Sequence, residues 1–395
     1  MIEENQRLRS VDILKGILIV AVVFVHLLIS RSDILVTAAD AASIGGSEGS
    51  PGIASLVIQA LYLGLMFFFI FSGYFYRPGR GFVANMKKRS IQLVVALSIC
   101  AIILPMIIYG LMAICGKAPD MEDLLSAFQW GFGLNGVFEP YDVFTPHPLC
   151  GGSVGYYYLW GMFWGFLIFY FLADHVYDDW KKSVVAIITL LVITLLLREF
   201  FPVKLPMYAQ MGPIAAAFML TGMMMAKMKL IERIESFDPT SRYSYSLLFG
   251  SLIIVVVMVY LFPPGLEFDY LNFGEFGGYS VIPYYIEAVA MFIFMTHLAM
   301  VLYKVIGLRQ MFTVCGQHTL GILLLHGPIA TMMIVPFYDL SSGSWFPDTM
   351  GLIPSVIVTI VTIVVCLLIC IYGKTLLGRL MGAEPPERPL PCVGE

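Results

Sequence analysis

The sequence predicts an all-α, polytopic integral membrane protein with about ten transmembrane helices. Of its 395 residues, 59% are hydrophobic and 13% are charged, whereas an ordinary soluble domain has about 45–50% apolar and about 25% charged residues. The mean hydropathy is +0.85. Apolar runs near the roughly 20 residues that cross a bilayer recur along the whole chain. This composition excludes a disordered chain and a soluble enzyme.

The apolar runs define the predicted spans in chain order. They cover residues 11–30, 54–76, 90–115, 153–173, 183–198, 207–226, 245–262, 283–305, 315–336 and 351–373. The short polar breaks between them leave no room for an appended soluble domain. We therefore expect residues 1–373 to form a single ten-helix transmembrane domain, followed by a short tail over residues 374–395.

The distribution of basic residues predicts the orientation of these spans. With the N-terminus in the cytoplasm, the predicted inside segments carry 18 of the 23 Lys and Arg residues, and the outside segments carry 4. The remaining one, Lys15, lies in the first span. Cytoplasmic loops of membrane proteins are enriched in Lys and Arg. Both termini are therefore predicted to be cytoplasmic.

The net charge and the sequence motifs limit the classes of function that fit this protein. A net charge of −4 predicts no nucleic-acid partner. The seven cysteines form no CxxC pair, and no Walker A, HExxH or GxSxG motif occurs, so neither a metal nor a bound cofactor is predicted. Cys115 and Cys150 bracket the predicted outer loop 116–152. Whether they form a disulfide stays open.

Ionisable side chains inside spans are costly and are therefore functional candidates. They are Asp12, Lys15, His26, Glu287, His297, His318 and His326. Lys15 and His26 are eleven residues apart on one helical face, about 16 Å along the axis. This spacing describes either a lined passage or a packing histidine with a lysine that extends to the membrane surface.

Three segments resemble the acyltransferase-3 family of bacterial integral-membrane acyltransferases. They are RLRSVDILKGILIVAVVFVH (7–26), FFFIFSGYFYRPGRGFVANMKKR (67–89) and TLGILLLHGPI (319–329). The first has the family's order of an RxxD segment, a basic residue, ten residues and a His. Two features depart from the family pattern: Lys15 stands where Arg is common, and residues 157–160 replace a tryptophan-centred segment.

The resemblance implies O-acyl transfer in a bacterial cytoplasmic membrane. The donor is expected to be cytoplasmic acyl-CoA, in the form of acetyl-CoA, used as a co-substrate. The acceptor is expected to be a hydroxyl of a cell-envelope carbohydrate or a lipid-linked glycan. An alcohol is a weak nucleophile, and an imidazole is a well-matched general base near neutral pH. His26 is predicted to be that base, Asp12 to hold Lys15, and His326 to orient His26 or line the pocket.

Binding residues are predicted on both sides of the membrane. Those expected to bind the donor are Lys15, Arg9, Ser72, Tyr74, Arg77, Lys88 and Arg89. Glu287 and His147 are expected to contact the acceptor. For Lys88 and Arg89 the alternative is simple membrane anchoring by positive charge, and for Ser72 and Gly73 it is helix packing.

Two other functions are compatible with buried polar residues in ten spans. A glycan or small-molecule transporter or flippase is the first, although the chain has no evident internal repeat. A membrane sensor or scaffold is the second, and it would tolerate replacement of His26.

Overall fold

The described part of the chain is a bundle of α-helices in a computed structural model. The structure describes residues 9–29, 53–116, 119–135, 137, 149, 155–201, 203–236, 242–261, 281–334 and 352–380. The helices there are α1 Arg9–Ile29, α2 Ile53–Tyr74, α3 Phe82–Ser90, α4 Ala96–Ile114, α5 Met121–Gly131, α6 Gly155–Val176, α7 Trp180–Phe200, α8 Gly212–Lys227, α9 Leu230–Glu235, α10 Arg242–Leu261, α11 Val281–Tyr303, α12 Ile306–Gln317, α13 Thr319–Ile334 and α14 Leu352–Leu380. A π-helical turn, Ile91–Val95, joins α3 to α4, and a 3-10 turn, Pro206–Met211, precedes α8.

The predicted fold class is confirmed. Among the described residues, six helical stretches are long and apolar enough to cross a membrane, and three shorter apolar helices accompany them. Each of the ten predicted spans overlaps one or more of the helices α1 to α14. The exact number of spans, the cytoplasmic position of both termini, and the division into residues 1–373 and 374–395 stay predictions.

Burial separates the central helices from those that face lipid. Helix α8 packs against α2, α6 and α7, and Phe218 at its centre is fully buried. The outer helices α4, α7 and α14 instead expose large apolar side chains such as Ile99, Ile188 and Ile360, each more than half exposed. Apolar exposure on this scale suits a lipid environment and is unusual on a soluble protein.

In the described part of the chain, four helices lie wholly or mostly between the predicted spans, where loops were expected: α3, α5, α9 and α12. The first two show why an apolar-run criterion did not find them. Helix α3 carries Lys87, Lys88 and Arg89 and buries Met86, so it is too polar for an apolar-run criterion to find. Helix α5 lies inside the predicted outer loop 116–152. It begins at a capping box in which Asp120 and Asp123 exchange side-chain and backbone hydrogen bonds, a recognised start signal for a helix.

The predicted span 315–336 corresponds to α13, which begins four residues later than predicted, at Thr319. Helix α12 ends at Gln317 and α13 begins at Thr319, with a turn at His318 between them. Before this turn, α12 is in backbone contact with α1. A Cβ atom on Gly316 would lie 1.9 Å from the Asp12 carbonyl oxygen, and one on Gly16 would lie 1.9 Å from that of Phe312. Only glycine permits this approach.

A second backbone contact joins α2 to α8. A Cβ atom on Gly73 would lie 1.7 Å from the Met219 carbonyl oxygen, and one on Gly222 would lie 1.9 Å from that of Ile70. The Ser72 hydroxyl donates to the Phe68 carbonyl of its own helix at 2.7 Å. The Ser-Gly pair of the second motif is thus a helix-packing element at this crossing.

Candidate active site

Lys15, in the first motif, contacts two aromatic residues of the second motif. Its Nζ lies 5.1 Å from the ring centroid of Phe71 and 5.4 Å from that of Phe75, both contributed by the end of α2 and the turn after it. Contacts of an ammonium with aromatic faces are attractive, and more so where water is scarce. The side chain of Asp12, one turn earlier on α1, lines a cleft on the α12 side.

Tyr74 and Ser10 tie these two motifs to the short helix α9. The Tyr74 hydroxyl donates to the Glu232 carboxylate and accepts the Ile231 amide at 3.1 Å. The Ser10 amide and hydroxyl donate to Glu235 Oε1 at 2.8 and 2.7 Å. Charge-assisted hydrogen bonds of this kind are the stronger ones in proteins. They fix α1 and α2 at one end of the bundle, where the donor residues were predicted.

Arg89 rests on an aromatic stack contributed by α6. Its Nε donates to the Tyr170 hydroxyl at 3.2 Å, and its guanidinium carbon lies 4.8 Å from the Phe166 ring centroid. The two rings are stacked, with centroids 5.4 Å apart and planes at 9°. Nη1 of Arg89 donates to Gln92 at 3.0 Å. A planar guanidinium held in one orientation presents its remaining donors for two oxygens of an anion such as phosphate.

Further aromatic residues extend this surface. Tyr76 packs edge-on against Phe169 at 5.2 Å and donates to the Asp174 carboxylate. Burial and this hydrogen bond raise the pKa of the Tyr76 phenol above its ordinary value, so it stays a donor at neutral pH. Lys227 Nζ lies 4.1 Å from the Tyr177 ring centroid. Arg77 and Lys88, which are next in sequence to Tyr76 and Arg89, are exposed.

Sequence reasoning missed the aromatic partners on α6 and the cation at the end of α8. Tyr170 and Lys227 carried no role in the prediction. The aromatic repeat in α6 was visible, but nothing in the local sequence pairs it with a lysine-arginine segment about eighty residues earlier. We call the set Arg77, Lys88, Arg89, Tyr170 and Lys227 the basic-aromatic surface.

Glu287 is a buried carboxylate among tyrosines. It is 3% exposed and lies one turn after Tyr284, which is 6% exposed and interacts with it electrostatically. Tyr158 lies close enough to interact with Tyr157 and Tyr284, and its hydroxyl donates to the Leu65 carbonyl at 2.9 Å. The segment at 157–160 therefore lies near Tyr284, which is one helical turn from Glu287.

His326 is a buried histidine whose tautomer is set by hydrogen bonds to backbone carbonyls. It is 2% exposed, and its Nδ1 lies 3.0 Å from the Ile322 carbonyl and 2.9 Å from that of Leu323. Because a carbonyl only accepts, Nδ1 carries the proton, and Nε2 is the basic nitrogen of the neutral ring. His297 has the same arrangement, with Nδ1 2.9 Å from the Ile293 carbonyl. Helix α13, which carries His326, packs against α1.

Three predicted site residues are only partly described or not described. Position 26 lies in the last turn of α1 and Arg9 in its first, but both side chains fall outside the described residues. His147 lies outside them altogether, as does Cys150. Among the side chains that the structure describes, no three His, Cys, Asp or Glu residues are grouped as metal ligands.

The predicted outer end of α8 is fixed by a buried lysine. Lys204 is 8% exposed, and its Nζ donates to the Asn135 carbonyl at 2.6 Å and lies 4.5 Å from the Tyr208 ring centroid. Met207 and Tyr208 adopt left-handed φ values of 53° and 55°, which non-glycine residues adopt only at a cost. The Met207 amide donates to the Gly133 carbonyl at 3.1 Å, and these contacts hold the strained turn beside Tyr157.

Comparison with known protein families shows which family the chain belongs to. The family model of the acyltransferase-3 group, described as an acyltransferase domain, matches residues 8–371. The chain belongs to the acyltransferase-3 family. The protein is therefore a membrane acyltransferase, and the family resemblance of the three sequence segments is confirmed. No curated protein and no solved structure matches the chain.

Proposed function

We propose that this acyltransferase transfers an acetyl group from cytoplasmic acetyl-CoA to a hydroxyl of a cell-envelope carbohydrate or lipid-linked glycan, in a bacterial cytoplasmic membrane. The observation that carries the proposal is the family match over residues 8–371. Membrane helices and predicted cytoplasmic cations suit a water-soluble anionic donor and a membrane-bound acceptor.

The proposed chemistry starts with a base. His26 removes the proton of the acceptor hydroxyl while the hydroxyl oxygen attacks the thioester carbonyl carbon. The resulting tetrahedral intermediate then breaks its C–S bond, and the CoA thiolate takes the proton from the imidazolium. The carbonyl oxygen of that intermediate needs positive or hydrogen-bonding support. His326, on a helix that packs against α1, is proposed to orient His26 or line the pocket.

The donor is proposed to lie along the predicted cytoplasmic end of the bundle. Lys15 is about 16 Å from His26 along α1, which is too far for the reacting carbonyl and suits the pantetheine or the diphosphate. Arg9, Ser72 and Tyr74 belong to the same end of α1 and α2. The basic-aromatic surface offers guanidinium and ammonium groups for phosphates, with tyrosine rings beside them for an adenine base.

Replacing Arg89 with Gln is expected to raise the KM for acetyl-CoA about tenfold, with kcat little changed. The reason is that a charge-assisted phosphate contact contributes binding in the ground and transition states alike. Initial rates over a range of acetyl-CoA concentrations measure the effect. Lys182→Gln removes an exposed cation from α7 and serves as the matched control. A fall in kcat at unchanged KM would contradict a donor-binding role for Arg89.

Glu287 is proposed to bind an acceptor hydroxyl at the opposite side of the bundle, with His147 as a further acceptor contact. Replacing Glu287 with Gln is expected to raise the KM for the acceptor about tenfold, because a charge-assisted bond becomes a neutral one. The KM for acetyl-CoA is expected to stay within about twofold. Kinetics with each substrate varied in turn separate the two. A change in the donor KM alone would contradict this assignment.

Membranes with and without the protein test the proposed reaction directly. They are supplied with acetyl-CoA labelled in the acetyl group, and label is followed into glycan and glycolipid fractions. The proposal expects label only with the protein, and release of that label by mild alkali, which cleaves O-esters. Movement of a glycan across the membrane with no ester formed would instead favour the transporter or flippase.

A further inference from the structure

The short helix α9 holds the start of α1 and the end of α2 through two carboxylates. Glu232 accepts the proton of the Tyr74 hydroxyl, and Glu235 Oε1 accepts both the amide and the hydroxyl of Ser10. The two glutamates lie one turn apart, and both are close enough to interact electrostatically with Tyr74. Neither glutamate belongs to any of the three sequence motifs.

These hydrogen bonds satisfy backbone amides at the starts of two helices. Ser10 is the second residue of α1 and Ile231 is the second residue of α9, and amides in the first turn of a helix have no partner within that helix. The Ser10 amide donates to Glu235, and the Ile231 amide donates to the Tyr74 hydroxyl at 3.1 Å. A carboxylate at the positive end of a helix dipole adds stabilisation. The start of each helix is therefore completed by a side chain from another helix.

Helix α9 is itself firmly packed. Its apolar side chains Leu230, Ile231 and Ile234 are buried in the main core. Lys229, which directly precedes the helix, has a left-handed φ of 51°. A residue other than glycine keeps this costly conformation only where the surrounding contacts require it. A buried helix that begins at such a residue is a rigid support for the groups that it binds.

The residues bound by α9 are close in sequence to Lys15 and to its aromatic contacts. Lys15 follows Ser10 by five residues on α1. Phe71 and Phe75, whose ring centroids lie 5.1 and 5.4 Å from Lys15 Nζ, come one turn before Tyr74 and directly after it. Because α9 fixes both the start of α1 and the end of α2, it fixes where the Lys15 ammonium lies relative to these two rings.

We propose that Glu232 and Glu235 are positioning residues for acetyl-CoA binding, which act by placing Lys15 and touch no substrate themselves. This inference rests on the proposed function, in which Lys15 contacts the donor. The Tyr74 hydroxyl has one proton, and Glu232 accepts it, so Tyr74 belongs to the support and has no donor left for a phosphate. A carboxylate near an anionic donor repels it. Charge alone therefore disfavours both glutamates at this end of the bundle, and the placement of Lys15 gives them a function.

Initial rates of the Glu232→Ala variant over a range of acetyl-CoA concentrations test the proposal. Loss of the support is expected to raise the KM for acetyl-CoA about tenfold and to change kcat less than about twofold, because a displaced Lys15 weakens donor binding in the ground and transition states alike. Removal of a negative charge alone predicts the opposite, a lower KM for the anionic donor. Glu235→Ala is expected to have the same effect as Glu232→Ala.

Two further variants separate the hydrogen bond from the charge. Glu232→Gln keeps an acceptor oxygen for Tyr74 and is expected to restore most of the wild-type KM. Asp178→Ala removes an exposed carboxylate just after α6 and is the charge-matched control, in which no rise in KM is expected. Midpoints of thermal unfolding in detergent confirm that each variant is folded.

Lys15→Met distinguishes a positioning role from a purely structural one. By itself it is expected to raise the KM for acetyl-CoA about tenfold. In that background, Glu232→Ala is expected to raise the KM no further, because the group that Glu232 places is absent.

Three results would overturn this inference and leave acetyl transfer itself established. The first is a wild-type or lowered KM in Glu232→Ala. The second is an unchanged KM in Lys15→Met, which would exclude Lys15 as a donor contact. The third is a further rise of the KM when Glu232→Ala is added to Lys15→Met, which would show an effect independent of Lys15. If the wild-type protein transferred no acetyl group from acetyl-CoA, the proposed function would be overturned together with the inference.

Discussion

Replacing His26 with Ala is expected to lower acetyl transfer by about 10²–10⁴-fold, the usual contribution of a general base. The acceptor hydroxyl then keeps its proton during attack on the thioester, and no other group at that position takes it. The KM for acetyl-CoA is expected to change little, because the predicted donor contacts lie about three helical turns away. Rates in membranes with matched amounts of protein measure the effect.

A histidine outside the proposed site supplies the control for this variant. His175 is exposed near the end of α6, with Nδ1 3.0 Å from the Phe171 carbonyl. His175→Ala is expected to keep wild-type rates. Wild-type rates in His26→Ala would exclude His26 as the base while leaving the acyltransferase itself unaffected. His326→Ala would then be the next variant, because Nε2 of His326 is the basic nitrogen of a buried neutral ring.

Replacing Gly73 with Ala is expected to destabilise the fold by about 3 kcal/mol, the upper end for an overpacked interior. The added methyl group would lie 1.7 Å from the Met219 carbonyl oxygen, and both sides of the contact are helix backbone. Neither side can move without separating α2 from α8. A lowered midpoint of thermal unfolding in detergent, together with a reduced yield of monodisperse protein, measures the loss.

Gly110 gives a matched comparison within the membrane. It lies in α4, and a Cβ atom there would meet no atom within 4 Å. Gly110→Ala is expected to be neutral or slightly stabilising, since alanine favours a helix more than glycine does. If the Gly73→Ala variant were as stable as the Gly110→Ala variant, the backbone contact between α2 and α8 would not require a glycine at position 73.

Hydropathy alone predicts most of the helices of this protein. A helix that crosses lipid has to be apolar along its length, so a run of consecutive apolar residues in the sequence predicts it. Hydropathy does not predict α3, a helix whose Lys87 and Lys88 are exposed. It also does not mark the turn at His318, two residues after the backbone contact of Gly316 with α1. A local average of hydropathy records neither a short polar helix nor a turn of one residue.

The candidate site could be predicted only in part for the same reason. The motif residues Lys15 and Tyr74 stand out in the sequence, and they do lie at one end of the bundle with Phe71. The partners of Tyr74 and Arg89 do not stand out. Glu232 and Tyr170 come from α9 and α6, which are separate in sequence from the motifs they contact. Helix spacing indicates which residues share a face, but not which helix that face meets.

Asp12 shows that helical spacing predicts only part of a side chain's surroundings. It lies one turn before Lys15, which predicts a pair on one helix. In the structure its side chain also lines a cleft with Arg309 of α12, and Lys15 lies over the Phe71 ring. Spacing along α1 does not reveal these contacts with α12 and α2. The role of Asp12 in holding Lys15 stays a prediction.

The side of the membrane that takes up the donor tests the central claim most directly. Inside-out and right-side-out vesicles containing the protein are supplied with acetyl-labelled acetyl-CoA, which does not cross the bilayer, and alkali-labile label is measured in the glycan and glycolipid fraction. The account predicts label in inside-out vesicles and little in right-side-out vesicles until they are made permeable. Equal label in both intact preparations, or label only in the right-side-out vesicles, would contradict acyl transfer from a cytoplasmic donor.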